Sequence, residues 1–311
     1  MRAIRYSAYG TPTVLETVEV PRPVAGPGEA LVRVAGTTFN HVDATIRTGA
    51  LANAFPIELP HTPGIDLSGT VVAIGPGVAG DLVGRNVIAF LSMTAPGAAA
   101  EYVTVPADSL APAPESVPLP DAASLASSGL TAWQAVESAG VRPGQSVLVN
   151  GAGGGVGAFV VQLAARAGAT VIATAGARSR DAVLAHGASE VIDYTERSVV
   201  DTMSRPVDVV VNLVRTTPEE TAALVALVEP GGAFVSTTTP GVAPAGTGIR
   251  TVSVFARSDA AQLARLADLV DAGELHLDVS ARHPLKDLAR VHTLAQAGAL
   301  RGKVLLTPTE W

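Results

Sequence analysis

The chain contains no cysteine. That absence excludes disulfides, thiolate nucleophiles and any zinc site built on cysteine ligands. Charge is scarce, at 16% of residues, while hydrophobic residues reach 48%. This is the balance of a folded chain, not a disordered one. An excess of positive charge is missing too. The net charge of −7 argues against nucleic acid as the main partner, since a phosphate-binding surface should be basic. No uninterrupted apolar stretch is long enough to span a bilayer. The opening residues, Met1-Arg2-Ala3-Ile4-Arg5-Tyr6-Ser7, lack the apolar core of a signal peptide. We therefore expect a cytoplasmic protein with neither membrane nor nucleic acid among its partners. A length of 311 residues predicts two domains.

Glycine is present where it counts. The stretch Gly151-Ala152-Gly153-Gly154-Gly155-Val156-Gly157 follows an apolar run, Ser146 to Asn150. It precedes a helix-like run, Ala158 to Ala167. Strand, glycine turn and helix together make a dinucleotide site, here in the register Ala152-x-Gly154-x-x-Gly157. Glycines let the backbone turn sharply and let a pyrophosphate approach without meeting a Cβ. The helix start offers unpaired N–H groups and a positive dipole end. Cofactor-binding roles are expected for Ala152, Gly153, Gly154, Gly155, Val156 and Gly157.

The first third of the chain reads as β structure. Leu31 to Gly36 alternates as a half-buried strand does, and Leu67 to Gly75 and Asn86 to Phe90 are further strands. Pro-Gly pairs at 27–28, 63–64, 76–77 and 96–97 punctuate them. The pattern predicts a compact, barrel-like β domain. Pro106 to Pro120 reads as a linker. Beyond it, strands at 147–150, 170–174, 190–193, 207–212, 233–236 and 251–254 alternate with helices, among them Pro218 to Val228. That alternation implies a doubly wound parallel sheet. A helix from Asp259 to Asp271, a segment from Leu275 to Val279, a helix from Leu285 to Ala297 and a last strand, Lys303 to Leu306, complete the chain. The tail is expected to return to the first domain.

An NAD site usually carries an acidic residue about 20 positions past the glycines, bonded to the ribose 2′-OH. Here the second strand runs into Ala173-Thr174-Ala175-Gly176-Ala177-Arg178, with no acid. Arg178 can make charge-assisted bonds to a 2′-phosphate, with Arg180 as a second cation. NADPH is the expected cofactor.

Further motifs accompany the glycine turn. They are Asn40-His41-Val42-Asp43 with Arg47 and Gly49; Pro63 to Gly69; Ala100-Glu101-Tyr102; Gly129-Leu130-Thr131-Ala132-Trp133; Gly187-Ala188 with Val191 to Tyr194; His283-Pro284-Leu285; and Gly302-Lys303-Val304-Leu305. In this order they resemble the medium-chain dehydrogenase/reductase superfamily, and within it the zinc-free quinone oxidoreductase, or zeta-crystallin-like, branch. The resemblance implies an α/β protein: a Rossmann doubly wound parallel sheet plus a GroES-like β-barrel domain. The GroES-like domain is expected at 1–118, completed by 273–311, with the Rossmann domain at 119–272. It further implies a cofactor in the cleft between domains and a homodimer joined through the edge strand at 251–254.

By the same resemblance, Asn40 lies beside the nicotinamide ribose and the substrate, and Thr131 lies near the nicotinamide. Gly176 lets the cofactor approach the backbone closely, Tyr194 lies near the adenosine phosphate, and Lys303 is close to the cofactor phosphates. Asn40, His41 and Thr131 are the catalytic candidates. His41 reads either as a proton donor or as a packed or surface side chain, and Thr131 reads equally as a plain helix residue. Asp43 is expected to fix its loop by pairing with Arg47, and Asp66 to anchor the Pro-Gly turn. Tyr6, Tyr9 and Tyr102 are read as packing residues or as lining for the substrate cleft.

Zinc-dependent relatives place a Cys-His pair at Asn40-His41 and a His-Glu pair near Ile65-Asp66. Isoleucine cannot bind a metal, so no metal site is expected. The four-cysteine lobe is absent as well, leaving only a short 91–99 connection. A zinc-free site suits acceptors whose reduction spreads the negative charge, which a few hydrogen-bond donors can hold. The expected activity is NADPH-dependent hydride transfer to quinones or other α,β-unsaturated carbonyls. Two alternatives stand beside it: a dedicated biosynthetic enoyl reductase, and an NADPH-binding structural or sensor protein. The chain departs from the family pattern in a trimmed 195–206 segment, in Asn212-Leu213-Val214-Arg215 where Asp-x-x-Gly is more usual, and in a Gly-, Pro- and Ala-rich 241–248 flap.

Overall fold

The structure is a computed structural model that describes residues 1–308. The chain starts with a two-stranded antiparallel pair, β1 (Arg2–Arg5) and β2 (Glu16–Glu19). The long strand β3 (Glu29–Thr38) leads into a short helix, α1 (His41–Arg47). Strands β4 (Asp66–Ile74), β5 (Asn86–Phe90), β6 (Tyr102–Pro106) and β7 (Ala111–Pro112) follow. Helix α2 (Ala126–Ala139) then leads to the alternating region. That region runs β8 (Ser146–Asn150), α3 (Gly155–Arg166), β9 (Thr170–Thr174), α4 (Arg180–Ala185) and β10 (Glu190–Ile192). It continues with α5 (Val199–Thr202), β11 (Val207–Asn212), α6 (Pro218–Val225), β12 (Val228–Ser236) and β13 (Arg250–Ser253). Helix α7 (Ala260–Asp271), β14 (Val279–Pro284), α8 (Leu288–Gln296) and β15 (Lys303–Thr307) end the described chain.

Two compact units result. The first comprises residues 1–127 and 258 onward; the second comprises 128–257. The divisions fall at 127/128 and 257/258, not at the expected 118/119 and 272/273. Two packing facts explain the shift. The 3-10 turn Asp121–Leu125 is buried and lies against β3 and β4. Helix α7, capped by Asp259, packs on β5 and β7 through Leu263, Leu266, Ala267 and Val270. Their spacing puts those side chains on one face of the helix.

In the first unit the main sheet runs β14-β15-β3-β4-β5-β7, with β6 also paired to β3. The expected alternation of β3 forms from Val32 to Gly36, where Val32, Val34 and Gly36 are buried while Arg33 is exposed and Ala35 half-buried. It breaks at the start of the strand, where Ala30, Leu31 and Val32 are buried in succession. The expected linker at 106–120 contributes strand structure: Ala111 and Pro112 add to the edge of β5. The segment at 275–279, given no element from the sequence, leads into a strand at Val279–Pro284 that pairs in parallel with β15. A core of Ile4, Phe39, Leu288, Val291, Val304 and Leu306 ties both ends of the chain to this unit.

The second unit is a six-stranded parallel sheet in the order β10-β9-β8-β11-β12-β13. Its central strands are apolar throughout: Val147, Leu148 and Val149, and Val209, Val210 and Val211, are all fully buried. A sheet clothed in helices on both faces demands this. Helix α6 starts with a capping box, Thr217 with Glu220, and has Pro218 in its first turn. It stops at Val225, three residues short of expectation, because Val228 joins the ladder opposite Val207. The strand order reverses between β8 and β11, which is where open α/β sheets bind ligands. Among the described residues no helix is long and apolar enough to cross a membrane.

Candidate functional site

In the first unit, three strand ends meet around Asn40. β15 runs antiparallel to β3 with Leu305 opposite Thr38, and the Phe39 amide donates to the Val304 carbonyl. One more step places Lys303 beside Asn40. β4 flanks β3 with Ser68 opposite Gly36, which brings its first residue, Asp66, to the same corner. Asn40 precedes α1 in an extended conformation and makes no cap bond with its side chain.

Its carboxamide is instead fully engaged. Lys303 Nζ donates to Oδ1 at 2.8 Å, and Ser127 Oγ donates to it at 3.3 Å. Nδ2 donates to Asp66 Oδ2 at 2.9 Å and to the Thr38 carbonyl at 3.3 Å. These are the two donors and two acceptor sites an amide possesses. Asp66 is wholly buried. Its carboxylate accepts from Thr38 Oγ1, Asn40 Nδ2 and Lys303 Nζ, and from the Ser127 backbone N–H at 2.7 Å in the first turn of α2. Burial alone would push this carboxyl up. The Lys303 ammonium, with the Thr38 and Asn40 bonds, outweighs burial and holds it below the ordinary carboxylate range. The Lys303–Asp66 pair, at 2.8 Å, leaves the lysine 4% exposed.

Asp43, and not Asp66, holds the Pro63-Gly64 turn, accepting the Gly64 N–H at 3.2 Å. Burial, with Asp66 adding to it against the opposing Gly64 bond, pushes the Asp43 carboxyl up to about 7. Arg47 does not pair with it. The guanidinium is fully buried and donates to the Gly10 carbonyl and, at 3.3 Å, to His292 Nδ1. Burial, then Arg47 and His41, push His292 down to about 3. His41 is exposed along one side and lies edge-on to Phe39, with ring centroids 5.3 Å apart. Burial of its other side, with Lys303 nearby, shifts it towards the neutral form. Tyr6 is buried with its ring edge-on to His61, and Tyr102, half-buried, carries Arg22 over its face at 3.9 Å.

In the second unit the glycine turn occupies the switch point. Gly151 has φ +97°, and a Cβ on Gly157 would stand 2.3 Å from the Gly151 carbonyl oxygen. Neither position admits a side chain. Helix α3 begins at Gly155, three residues earlier than expected, with Gly154 as its N-cap. Its first-turn amides belong to the glycine turn itself.

A row of neutral polar side chains underlies the turn. The Gly151 N–H donates to Thr174 Oγ1, which donates to Asn150 Oδ1, both at 2.9 Å. Asn150 Nδ2 donates to Asn212 Oδ1 at 2.9 Å, and Asn212 Nδ2 reaches Thr216 and Ser236. Each of Asn150, Thr174, Asn212 and Ser236 is the last residue of its strand. A polar residue closing each apolar run was the available sequence signal for this row.

The Arg178 turn abuts the glycines. A Cβ on Gly153 would meet Ser179 Oγ at 2.7 Å, and one on Gly176 would lie 3.8 Å from Tyr194 Oη. Tyr194 is 61% exposed. Thus Ala152 to Gly157, Gly176, Arg178 and Tyr194 follow the carboxyl ends of the neighbouring strands β8, β9 and β10. Thr131 stands on α2, within the second unit. Asn40, His41 and Lys303 are gathered in the first unit. Arg215 faces solvent at the end of the Asn212 segment.

A parallel sheet of this order, with a glycine turn at its switch point, defines a dinucleotide-binding unit. Comparison with known proteins makes the class specific. Residues 26–115 match a family model described as an alcohol dehydrogenase GroES-like domain, and residues 186–306 match one described as a zinc-binding dehydrogenase. The chain is similar to a chloroplast envelope quinone oxidoreductase homolog of Arabidopsis thaliana, 37% identical over 62% of this chain and 61% of that protein. The match therefore spans about three fifths of that relative's length. A quinone oxidoreductase structure from Coxiella burnetii aligns over 99% of each chain, with 30% identity and a TM-score of 0.89. A quinone oxidoreductase from Escherichia coli complexed with NADPH aligns over 99% of this chain and 100% of that one, with 26% identity and a TM-score of 0.87. The chain belongs to the medium-chain dehydrogenase/reductase superfamily, in its quinone oxidoreductase branch.

Proposed function

We propose that this protein is an NADPH-dependent reductase of quinones or other α,β-unsaturated carbonyls, working without zinc. The observation that carries the reading is the engagement of Asn40. Zinc does not fit the residues present. The Asn40 carboxamide is saturated, Ile65 has no donor atom, and Asp66 is already paired with Lys303. Among the described residues no group of three or more His, Cys, Asp or Glu side chains is placed to hold a metal ion. Positive charge at this corner comes from a lysine.

The glycine turn fits a dinucleotide pyrophosphate: Gly157 lets α3 start pressed against the turn, and at Gly154 only the Gly151 carbonyl oxygen, at 3.5 Å, lies within 4 Å of where a Cβ would stand. The β9–α4 turn offers Arg178 and no acid, which favours a 2′-phosphate over a free 2′-OH. Gly176 and Tyr194 complete that end of the cofactor site. When bound, the nicotinamide supplies the hydride. Asn40 and Thr131 orient the nicotinamide end and the acceptor. Hydride delivered to the acceptor carbon would leave negative charge on the acceptor's conjugated oxygen. Donors hold that delocalised oxyanion until a proton arrives. His41, exposed and kept neutral near pH 7, relays that proton from solvent.

Following NADPH absorbance with 1,4-benzoquinone, 9,10-phenanthrenequinone, a 2-alkenal and a secondary alcohol–NADP⁺ pair tests the reading. Oxidation with the quinones or the alkenal, and little reaction with the alcohol, is expected. NADPH binding with no oxidation by any acceptor would instead make this a binding protein.

A further inference from the structure

The buried ion pair has consequences beyond excluding a metal. An amide held at four points has one orientation. Oδ1 faces an ammonium and a hydroxyl; Nδ2 faces a carboxylate and a carbonyl. A flipped amide would set its N–H groups against the Lys303 ammonium and its oxygen against Asp66, donor on donor and acceptor on acceptor. The two charge-assisted contacts are the short ones, at 2.8 and 2.9 Å. The two neutral contacts are longer, both 3.3 Å, and the one to the Thr38 carbonyl is the one a ligand oxygen can take over, since it frees an N–H. The ammonium on Oδ1 also polarises the amide, so the N–H that now meets the Thr38 carbonyl donates more strongly to a ligand oxygen that takes that place.

We propose that Lys303 and Asp66 are positioning residues that lock and polarise the Asn40 carboxamide, so that the acceptor oxygen meets a strengthened N–H donor. The proposal rests on the reductase reading given above. The surroundings of Lys303 suit the role. Its 4% exposure spends none of the charge on solvent. The titratable groups around it are Asp66, Asp43 and His41. Thr38 bonds the same carboxylate oxygen of Asp66 and helps keep it ionised, while the Ser127 N–H holds the other oxygen. This assignment differs from the expected one. A lysine bound to Asn40 and Asp66 has committed two of its three N–H groups inside the protein, away from any phosphate.

The test uses Lys303→Met, Asp66→Asn and Asn40→Leu in the full chain, with melting curves to confirm folding. Three quantities are measured: NADPH affinity by fluorescence titration, and kcat and KM for 9,10-phenanthrenequinone. Lys303→Met is expected to lower kcat about a hundredfold, the scale of losing one oriented oxyanion donor. NADPH affinity is expected to change by less than about threefold. In the Asn40→Leu background the same substitution should add less than about threefold, because the lysine works through a side chain no longer there. A tenfold loss of NADPH affinity with kcat kept would overturn the proposal and return Lys303 to the cofactor phosphates. Multiplying losses in the double variant would also overturn it. If Lys303→Met does not fold, Asp66→Asn must reproduce the kcat loss with NADPH affinity kept, or the proposal fails.

A second readout needs no turnover. The Asn40 side-chain amide resonance is assigned by its loss in Asn40→Leu. It should move on Lys303→Met and show two well-separated proton shifts in the wild type. A wild type that binds NADPH and reduces nothing defeats the reductase reading. An amide resonance unmoved by Lys303→Met defeats the positioning pair, whatever the turnover.

Discussion

Around Asn40 the polar groups of the first unit are charged and buried: Asp66 against Lys303, with Asp43 alongside. Beneath the glycine turn of the second unit the row Thr174, Asn150, Asn212 and Ser236 is neutral throughout. Both arrangements join strands that lie side by side, and both fix a feature above them. Their energetics differ. A neutral hydrogen bond contributes about 1 kcal/mol net. Breaking a buried ion pair by removing one partner costs about 3–5 kcal/mol, because a lone charge stays behind. The second unit can thus hold a backbone shape and leave charge recognition to its rim, where Arg178 stands. The first unit holds charge itself, and its stability depends on how each buried group is protonated.

The largest expected effect sharpens the contrast from the rim. If the row supplies shape alone, discrimination between cofactors falls to Arg178. Replacing Arg178 with Ala should weaken NADPH about 10- to 100-fold, the scale of one or two charge-assisted bonds, and NADH far less. Fluorescence titration with both nucleotides checks this, and equal weakening of the two would refute the assignment.

A smaller effect concerns the charged corner. Asp43 releases its proton near 3.8 when unfolded and at about 7 when folded. Between those values the folded state holds the extra proton, so this group alone makes stability fall as pH rises. His61 and His292, pushed down to about 4 and about 3 from 6.5, act oppositely. They make stability rise as pH climbs from their folded values to 6.5. Net stability should therefore rise from pH 4 to 6.5, with Asp43 opposing. Asp43→Asn, which keeps an acceptor for the Gly64 N–H, should steepen that rise. It should also add up to a few kcal/mol at pH 7.5, on the order of 1.4 kcal/mol for each pH unit that separates the folded and unfolded titrations of Asp43. Urea unfolding at pH 5 and 7.5 measures the change. An unchanged slope would mean that Asp43 is ionised in the folded protein.

The two regions also differ in how much of each the sequence discloses. The glycine turn is local: strand, turn and helix lie within about twenty residues, and positive φ at Gly151 admits little else. The sheet order follows from the same logic of apolar strands alternating with helices. The Asp66–Lys303 pair joins positions 237 residues apart. Nothing in the local pattern announces it, and only the register of β15 on β3 brings the two ends together. Asp43 and Asp66 were both legible as structural carboxylates, yet their partners were not, because α1 and β4 present them to different neighbours. The 106–120 stretch looked like a linker from its prolines, and it hides a two-residue edge strand that composition cannot reveal.

On the proposed reading, a phosphate-cradling turn serves a reaction corner whose positive charge is Lys303 and not a metal. Turnover of 9,10-phenanthrenequinone with NADPH, before and after exhaustive treatment with a zinc chelator, decides between the two. The expected result is an unchanged rate from protein whose zinc content is far below one per chain. A rate that vanishes with the chelator and returns with zinc would show that a metal, and not the lysine, carries the charge.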